Sequence, residues 1–449
     1  MNLPKKPLNI LLFAVDSLRA DHMSAYGYRR LTTPHIDRLS AAGVTFNRCY
    51  SAYIPTTPAY SSILTGKDVM STEMVALSPK GPIDEKIPLL PELLRPHGYA
   101  SIRVGFGGDF YRGFDRWLSY GEGWLAWEDR PARKAENLNE VAIPALEELA
   151  KSGQPWLLFM RHMDPHAPYL PPAPFDRMFY SGDPCVDETD TMGPVRNFAP
   201  FADFHLSWMP PGIADINYVV AQYDGALAYM DASIQRILTR LEELGQRENT
   251  LIVFTADHGE TLTEHDCYFD HHGLYDPTLH VPLIYSCPGY LPVGQRVGGN
   301  VLHEDLVPTL LDMLGLGGKG IQRKFDGHSA MPLIRGEAAT FHSEFYITEC
   351  TWMRKRGWRT PHWKYIEALE PDFHQKPPVE LYNLTTDPLE LHNLADAEPA
   401  VVQHLANRMR SWVAKRLTQT HKPDPIMQYQ MGLDRHIGSI AVAQKLQER

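Results

Sequence analysis

Cysteine is scarce in this chain: five residues in 449 (Cys49, Cys185, Cys267, Cys287 and Cys350), an odd number with no Cys-x-x-Cys pair among them. That pattern does not make a disulfide framework, so all five are expected as reduced, structural thiols of a cytoplasmic protein. Long apolar runs are missing too. The strongest near the start, Ile10 to Val15, falls well short of the roughly 18 residues a membrane span needs, and no membrane partner is expected. No charged segment followed by an apolar one and a small-residue cleavage site precedes it, so no secretory signal is expected either. An excess of positive charge is also lacking. With 43 Lys and Arg against 54 Asp and Glu the net charge is −11, which removes the electrostatic footprint of a nucleic-acid binder. An anionic ligand would need a local basic site or a metal.

What is present is the composition of an ordinary globular protein, 43% hydrophobic and 22% charged, long enough for two or three domains. Strand-like apolar runs alternate with helical patterns over the first three quarters, which predicts an α/β fold: a large α/β/α sandwich on a mostly parallel sheet. Strands are expected at Leu8 to Val15, Trp156 to Met160 and Leu251 to Thr255. Helices are expected at Pro34 to Ala42, from near Thr56 through Leu64, and over Asn217 to Leu244, where apolar residues recur at three and four spacing. Tyr169 to Pro211, rich in Pro, Asp and Gly, reads as a surface excursion. Short aromatic runs (Phe345 to Thr348, Trp363 to Ile366) and a helix near Ala400 to Leu417 predict a smaller α+β unit with an antiparallel sheet. The expected division is a catalytic domain over 1–335, the smaller domain over 336–422, and a tail over 423–449 assigned to self-association of the chain.

Chemistry-bearing residues gather at strand ends. Asp16 directly follows the first strand, where ligands bind in open α/β sheets. Asp257 and His258 follow the LIVFT strand, a hard oxygen and an imidazole suited together to Zn²⁺ or Mn²⁺, with Gly259 permitting close backbone approach. Asp164 and His166 follow the WLLFM strand two residues apart, hence on one side of an extended segment. His271 and His272 lie a short loop beyond Asp257. Singly, each is as well read as a cap or a hydrogen-bonded loop residue; together they predict a metal centre. Thr56 precedes Pro58 at a helix start, where free N–H groups and the dipole would stabilise an alkoxide or a transferred anion; a plain N-cap is the competing reading. Arg19, Arg103, Arg112 and Arg161 are candidate anion contacts or ion-pair residues.

Read together, Asp16-Ser-Leu-Arg-Ala-Asp-His22 with Tyr26-Gly27, Thr33-Pro-His-Ile-Asp37, Pro55-Thr-Thr-Pro58 through Leu64-Thr-Gly66, Asp164-Pro-His-Ala-Pro-Tyr169, Asp257-His-Gly-Glu260, Val281-Pro-Leu283 and Glu380-Leu-Tyr-Asn-Leu384 with Asp387-Pro388 resemble the sulfatase family of the alkaline phosphatase superfamily. The resemblance runs in order from about residue 8 to 396. Sulfatases carry Cys-x-Pro-x-Arg, whose Cys becomes formylglycine; here Thr56 stands at the Cys and Tyr60 at the Arg, so no formylglycine can form. The family's paired aspartates after the first strand are Asp16-Ser17, one carboxylate short. Threonine nucleophiles with a single Asp there are typical of superfamily members acting on phosphate esters.

The resemblance implies a metal site of Asp16, Thr56, Asp257 and His258, with Thr56 as its nucleophile, and a second site of Asp164, His166 and His272. In formylglycine sulfatases the residue at His166 contacts sulfate instead. His271, near the place of a substrate-binding Lys, would contact the anion or protonate the leaving group. The expected protein is a hydrolase of phosphoric esters, a phosphodiester or phosphonate monoester, with two divalent ions, zinc or manganese, calcium being the alternative, and a small anionic ester as substrate. A sulfuric ester hydrolase, a head-group transferase and a degenerate binding protein are the alternatives.

Overall fold

Strands made almost wholly of large apolar residues are stable only when covered on both faces. All seven residues of Asn9–Val15 and of Thr250–Ala256 are buried, as are six of the seven in Trp156–His162. This computed structural model describes residues 6–78, 81–105, 112–121, 134–198, 201–372 and 374–429. The three strands lie side by side and parallel, Asn9–Val15 between the other two. On one side Ala100–Val104 and Arg116–Leu118 continue the parallel run. On the other, His280–Ser286 is antiparallel and is followed by Val44–Tyr50, which also pairs Gln295–Val297 and Val301–Leu302. The result is the mixed, mostly parallel central sheet that the periodicity predicts.

Helix boundaries follow the local chemistry. Pro34–Ala41 starts on its proline and carries Ile36 and Leu39 inward. Ile216–Glu243 is capped by Asp215, whose side chain accepts from the Asn217 N–H, and it packs on Pro34–Ala41 and Lys134–Lys151. Thr56–Thr65 is buried at all ten positions and ends on Gly66 at φ +68°.

A second sheet takes Val379–Asn383, Trp363–Ala368, Arg354–Arg359 and Phe345–Cys350 in antiparallel order. Its fifth strand is Tyr53–Ile54, from the segment that leads into the Thr56 helix. This sheet and the helix Pro399–Thr420 share a core of their own, including Tyr346, Trp358, Tyr365 and Met409. The chain after Pro423 proves to have a place there as far as it is described: Ile426 and Tyr429 are buried in that core, and the Tyr429 hydroxyl donates to the Ser78 carbonyl at 2.8 Å. The remainder of the expected tail lies outside the described residues. The excursion over 169–211 is only partly surface. Its chain is exposed around 181–191, yet Trp208 is fully buried with its ring 5.1 Å from Tyr169. No described helix is long and apolar enough to cross a membrane.

Leu12, fully buried between Phe159 and Val253, tests the register that positions everything below. Leu12→Ala should cost about 2–5 kcal/mol, read from the urea midpoint. A cost below ~1 kcal/mol would place Leu12 outside the core.

Candidate active site

The parallel register carries one residue beyond the strands and brings two acids together. Val15 lies opposite Ala256, the Asp257 N–H donates to the Val15 carbonyl at 3.1 Å, and the Asp16 N–H donates to the His162 carbonyl at 2.9 Å. Asp16 and Asp257 are therefore neighbours at the carboxyl edge of the sheet, both fully buried. The chain then turns sharply at Ser17, φ +58°, whose N–H donates to Asp257 Oδ1 at 3.2 Å. Tyr223 clamps this turn: its hydroxyl donates to the Ser17 carbonyl and accepts from the Arg19 N–H.

His258 completes the group. Its Nδ1 lies 2.9 Å from the Gly259 carbonyl, so the proton belongs there and Nε2 presents its lone pair to the site. Nε2 stands 3.5 Å from Asp257 Oδ2 and 3.9 Å from Asp16 Oδ1. Close packing fixes the loop. A Cβ at Gly259 would come within 1.9 Å of the Pro277 carbonyl oxygen, and only glycine lets its N–H reach the Thr278 carbonyl at 2.8 Å.

Thr56, the first residue of its helix, turns its hydroxyl into this group, with Oγ1 3.1 Å from His258 Nε2. The cap position of this helix falls on Pro55 and not on Thr56, which answers the competing reading of the sequence. From the neighbouring strand Arg161 reaches across Ala14, its partner in register, and grips Asp16 Oδ2 through Nη2 and, at 3.1 Å, through Nε. Its guanidinium also lies 5.2 Å from the centre of the Tyr60 ring. Burial is the largest single influence on Asp16 and raises its pKa, but Arg161, His166 and His258 together outweigh it and hold this carboxylate well below its usual range. Asp257 has no such partner; burial and the Asp16 charge push it well up.

Two further imidazoles line the approach. His271 stacks on His258 with ring centres 4.6 Å apart and lies 5.8 Å from His166. Its Nδ1 faces Asp270 at 3.4 Å and Glu260 at 3.9 Å, which directs Nε2 away from those carboxylates. Glu260 is held in turn by the Tyr169 hydroxyl at 2.5 Å. Burial lowers both His166 and His271 to about 4, so both rings are neutral near pH 7.

Of the expected ligands, then, the structure gathers Asp16, Thr56, Asp257 and His258, with His166 and His271 beside them. It does not bring Asp164 and His272 into this group. Asp164 is a structural acid: it accepts from the Ala135 N–H at 2.9 Å at the start of helix Lys134–Lys151 and faces the buried Lys134 ammonium at 3.5 Å. His272 points the other way, towards Glu349 and His374. Among the four arginines only Arg161 reaches the acids; Arg19 pairs with Asp21 and Glu264, Arg112 with Glu92, and Arg103 lies over Trp117. Tyr169, Glu260 and Lys134 were not singled out in the sequence. Arg161 was separable from the other three by register alone, since it sits on a central strand two residues before the loop carrying Asp164.

A divalent cation fits the donor set. One oxygen each from Asp16 and Asp257 and a nitrogen of His258 lie within 4.8 Å of one another, and the fully buried Asp257 Oδ2 has no hydrogen-bond partner. Two adjacent buried carboxylates beside a neutral imidazole stay ionised together only with positive charge beside both; otherwise one of them takes up a proton.

Comparisons with known proteins give the family and the fold. The sulfatase family model matches residues 8–316, and the C-terminal family of N-sulphoglucosamine sulphohydrolase matches residues 263–418. The chain is 25% identical to the multifunctional alkaline phosphatase superfamily protein PehA of Trinickia caryophylli, over 90% of this chain and 95% of that one. It is 24% identical to an N-acetylglucosamine-6-O-sulfatase of Bacteroides thetaiotaomicron, over 87% and 83%. Its fold superposes on the phosphonate monoester hydrolase of Agrobacterium radiobacter with a TM-score of 0.70 at 22% identity, covering 92% and 96% of the two chains.

Asp257→Ala should abolish metal retention at this site, measured by elemental analysis after gel filtration. Asp164→Ala should leave retention intact and instead lower stability by about 3–5 kcal/mol, because it strands the buried Lys134 charge. Loss of metal with unchanged stability in Asp164→Ala would make that acid a ligand after all.

Proposed function

We propose that this chain, which belongs to the sulfatase family, cleaves a phosphoric ester, either a phosphodiester or a phosphonate monoester, with Thr56 as the nucleophile. Membership of that family makes it an enzyme that hydrolyses esters. The observation that carries the finer reading is the Thr56 hydroxyl, 3.1 Å from His258 Nε2 at the edge of the Asp16–Asp257 pair and at the first position of a helix.

A divalent cation held by Asp16, Asp257 and His258 would supply Lewis acidity to the hydroxyl and to the transferred group. Two carboxylates with one imidazole suit zinc or manganese better than calcium, which prefers an all-oxygen shell. The remaining roles fall to the protein. Thr56 attacks in line, and the unpaired N–H groups of its helix face the charge that gathers on the transferred oxygens. Arg161 holds Asp16 ionised and places a permanent cation beside it. His271, with its Nδ1–H turned to Asp270, offers the Nε2 lone pair: it takes up the proton that Thr56 gives up on attack and passes it to the leaving oxygen, while His166, whose Nδ1 lies 2.7 Å from the Ala167 carbonyl, lines the approach beside it. Water then cleaves the threonine ester by the reverse geometry.

Chemistry favours phosphorus over sulfur here. A formylglycine hydrate releases sulfate by collapsing to an aldehyde, whereas an esterified threonine has no such route and must be cleaved by attack on the transferred group itself. Clamping cations assist that attack most when the group carries much charge in the transition state.

Thr56→Ala should lower kcat by ~10³-fold or more while leaving metal content and melting temperature unchanged; a near wild-type kcat would mean that water attacks directly. With one leaving group throughout, kcat/KM for the aryl phosphodiester or phosphonate should exceed that for the aryl sulfate by at least about tenfold, roughly 1.4 kcal/mol of barrier. Preference for the sulfate would assign the chain to sulfuric esters.

A further inference from the structure

A second group of metal-ligating side chains lies outside the site at Thr56. Cys267 Sγ and one ring nitrogen each of His272 and His374 lie within 4.8 Å of one another. Cys267 is 1% exposed, His272 fully buried and His374 8% exposed. The three come from two parts of the fold. Cys267 and His272 belong to the loop that follows Thr250–Ala256, while His374 lies between Trp363–Ala368 and Val379–Asn383 of the second sheet. We propose that Cys267, His272 and His374 hold a structural zinc ion that fastens this loop to the second sheet.

The surroundings of the two imidazoles carry the proposal. A zinc-bound histidine characteristically gives its other ring N–H to a carboxylate or a backbone carbonyl, which sets the tautomer and aims the free nitrogen at the metal. For His374 the partner is in place: Nδ1 lies 3.2 Å from the Asp266 carbonyl, which leaves Nε2 as the donor. His272 Nδ1 faces the Glu349 carboxylate at 3.4 Å, the group to which its N–H would turn once the ring is fixed on a metal. Glu349 is itself anchored by the Gly273 N–H at 2.9 Å. The rings are held on their faces as well, His374 between Phe198 at 4.6 Å and His272 at 4.5 Å. One thiolate and two imidazoles form a soft, nitrogen-rich set that matches zinc. The three side chains supply three of the four tetrahedral positions, and bonds of about 2.0–2.3 Å would draw the donor atoms to separations of roughly 3.3–3.7 Å, a closure of at most about 1.5 Å from the 4.8 Å within which they lie. The nearby Lys355 ammonium does not stand against the ion alone, because it is paired with Asp372 and lies 3.9 Å from Glu380. An odd, scattered set of cysteines gave no hint of this in the sequence, since only one of the three ligands is a cysteine.

The zinc site would sit directly behind the reaction centre, because His271 and His272 are adjacent and point opposite ways. It remains chemically distinct from that centre, whose donors include no sulfur, and cobalt(II) substitution exploits the difference. The full-length protein, stripped with a chelator and reloaded with Co²⁺, should show a thiolate-to-cobalt charge-transfer band in the near ultraviolet. That band should persist in Asp257→Ala, which empties the site at Thr56, and vanish in Cys267→Ser. His374→Gln keeps the sulfur and should weaken Co²⁺ binding at this band by at least about tenfold, which covers the case in which Cys267→Ser fails to fold. Absence of the band in cobalt-loaded wild type, or its survival in folded Cys267→Ser, would overturn the zinc site whatever the reaction at Thr56 proves to be.

Discussion

Two carboxylates forced side by side in a dry interior are the constraint around which this molecule is arranged. The parallel register of Asn9–Val15 with Thr250–Ala256 leaves Asp16 and Asp257 no other position, and the strands that set the register are buried throughout. Isolated charges in such a place would simply take up protons. Arg161 answers Asp16 from the next strand, while Asp257 Oδ2 remains without a hydrogen-bond partner beside the lone pair of His258. The positive charge that would satisfy these groups is also what an anionic ester requires, in a chain whose net charge of −11 offers it no general attraction. A cation bound there would serve both stability and function.

The departures from the family's usual motif become coherent on this view. Ser17, standing where a second aspartate is usual, takes a left-handed turn and gives its N–H to Asp257. Tyr60, standing where an arginine is usual, carries the Arg161 guanidinium against its ring. One carboxylate is removed, and a guanidinium enters from a different strand. On the proposed function, the local charge is rebalanced around the Thr56 hydroxyl, a nucleophile that would need no modification.

Much of this was legible in the sequence because it is local. Apolar runs of five to eight residues located the central strands, Pro and Gly marked the ends of helices, and Asp16, Thr56, Asp257 and His258 each sit within a residue or two of the end of a strand or helix. What escaped is what only register and loop direction decide. Asp164 and His166 share one side of an extended segment in principle, yet Asp164 turns back to cap helix Lys134–Lys151 on Lys134. His271 and His272 are adjacent in the chain and serve opposite directions. Tyr53–Ile54 joins the second sheet from nearly 300 residues upstream of its partner Phe345–Cys350; no periodicity in so short a run could have announced it.

The central claim is that a threonine ester forms and is then cleaved, two in-line displacements at the same atom. Stereochemistry at phosphorus reads this directly. When a phosphorothioate diester of one chirality is turned over in isotopically labelled water, two inversions predict net retention of configuration. Net inversion would mean a single displacement by water, and would contradict a covalent role for Thr56.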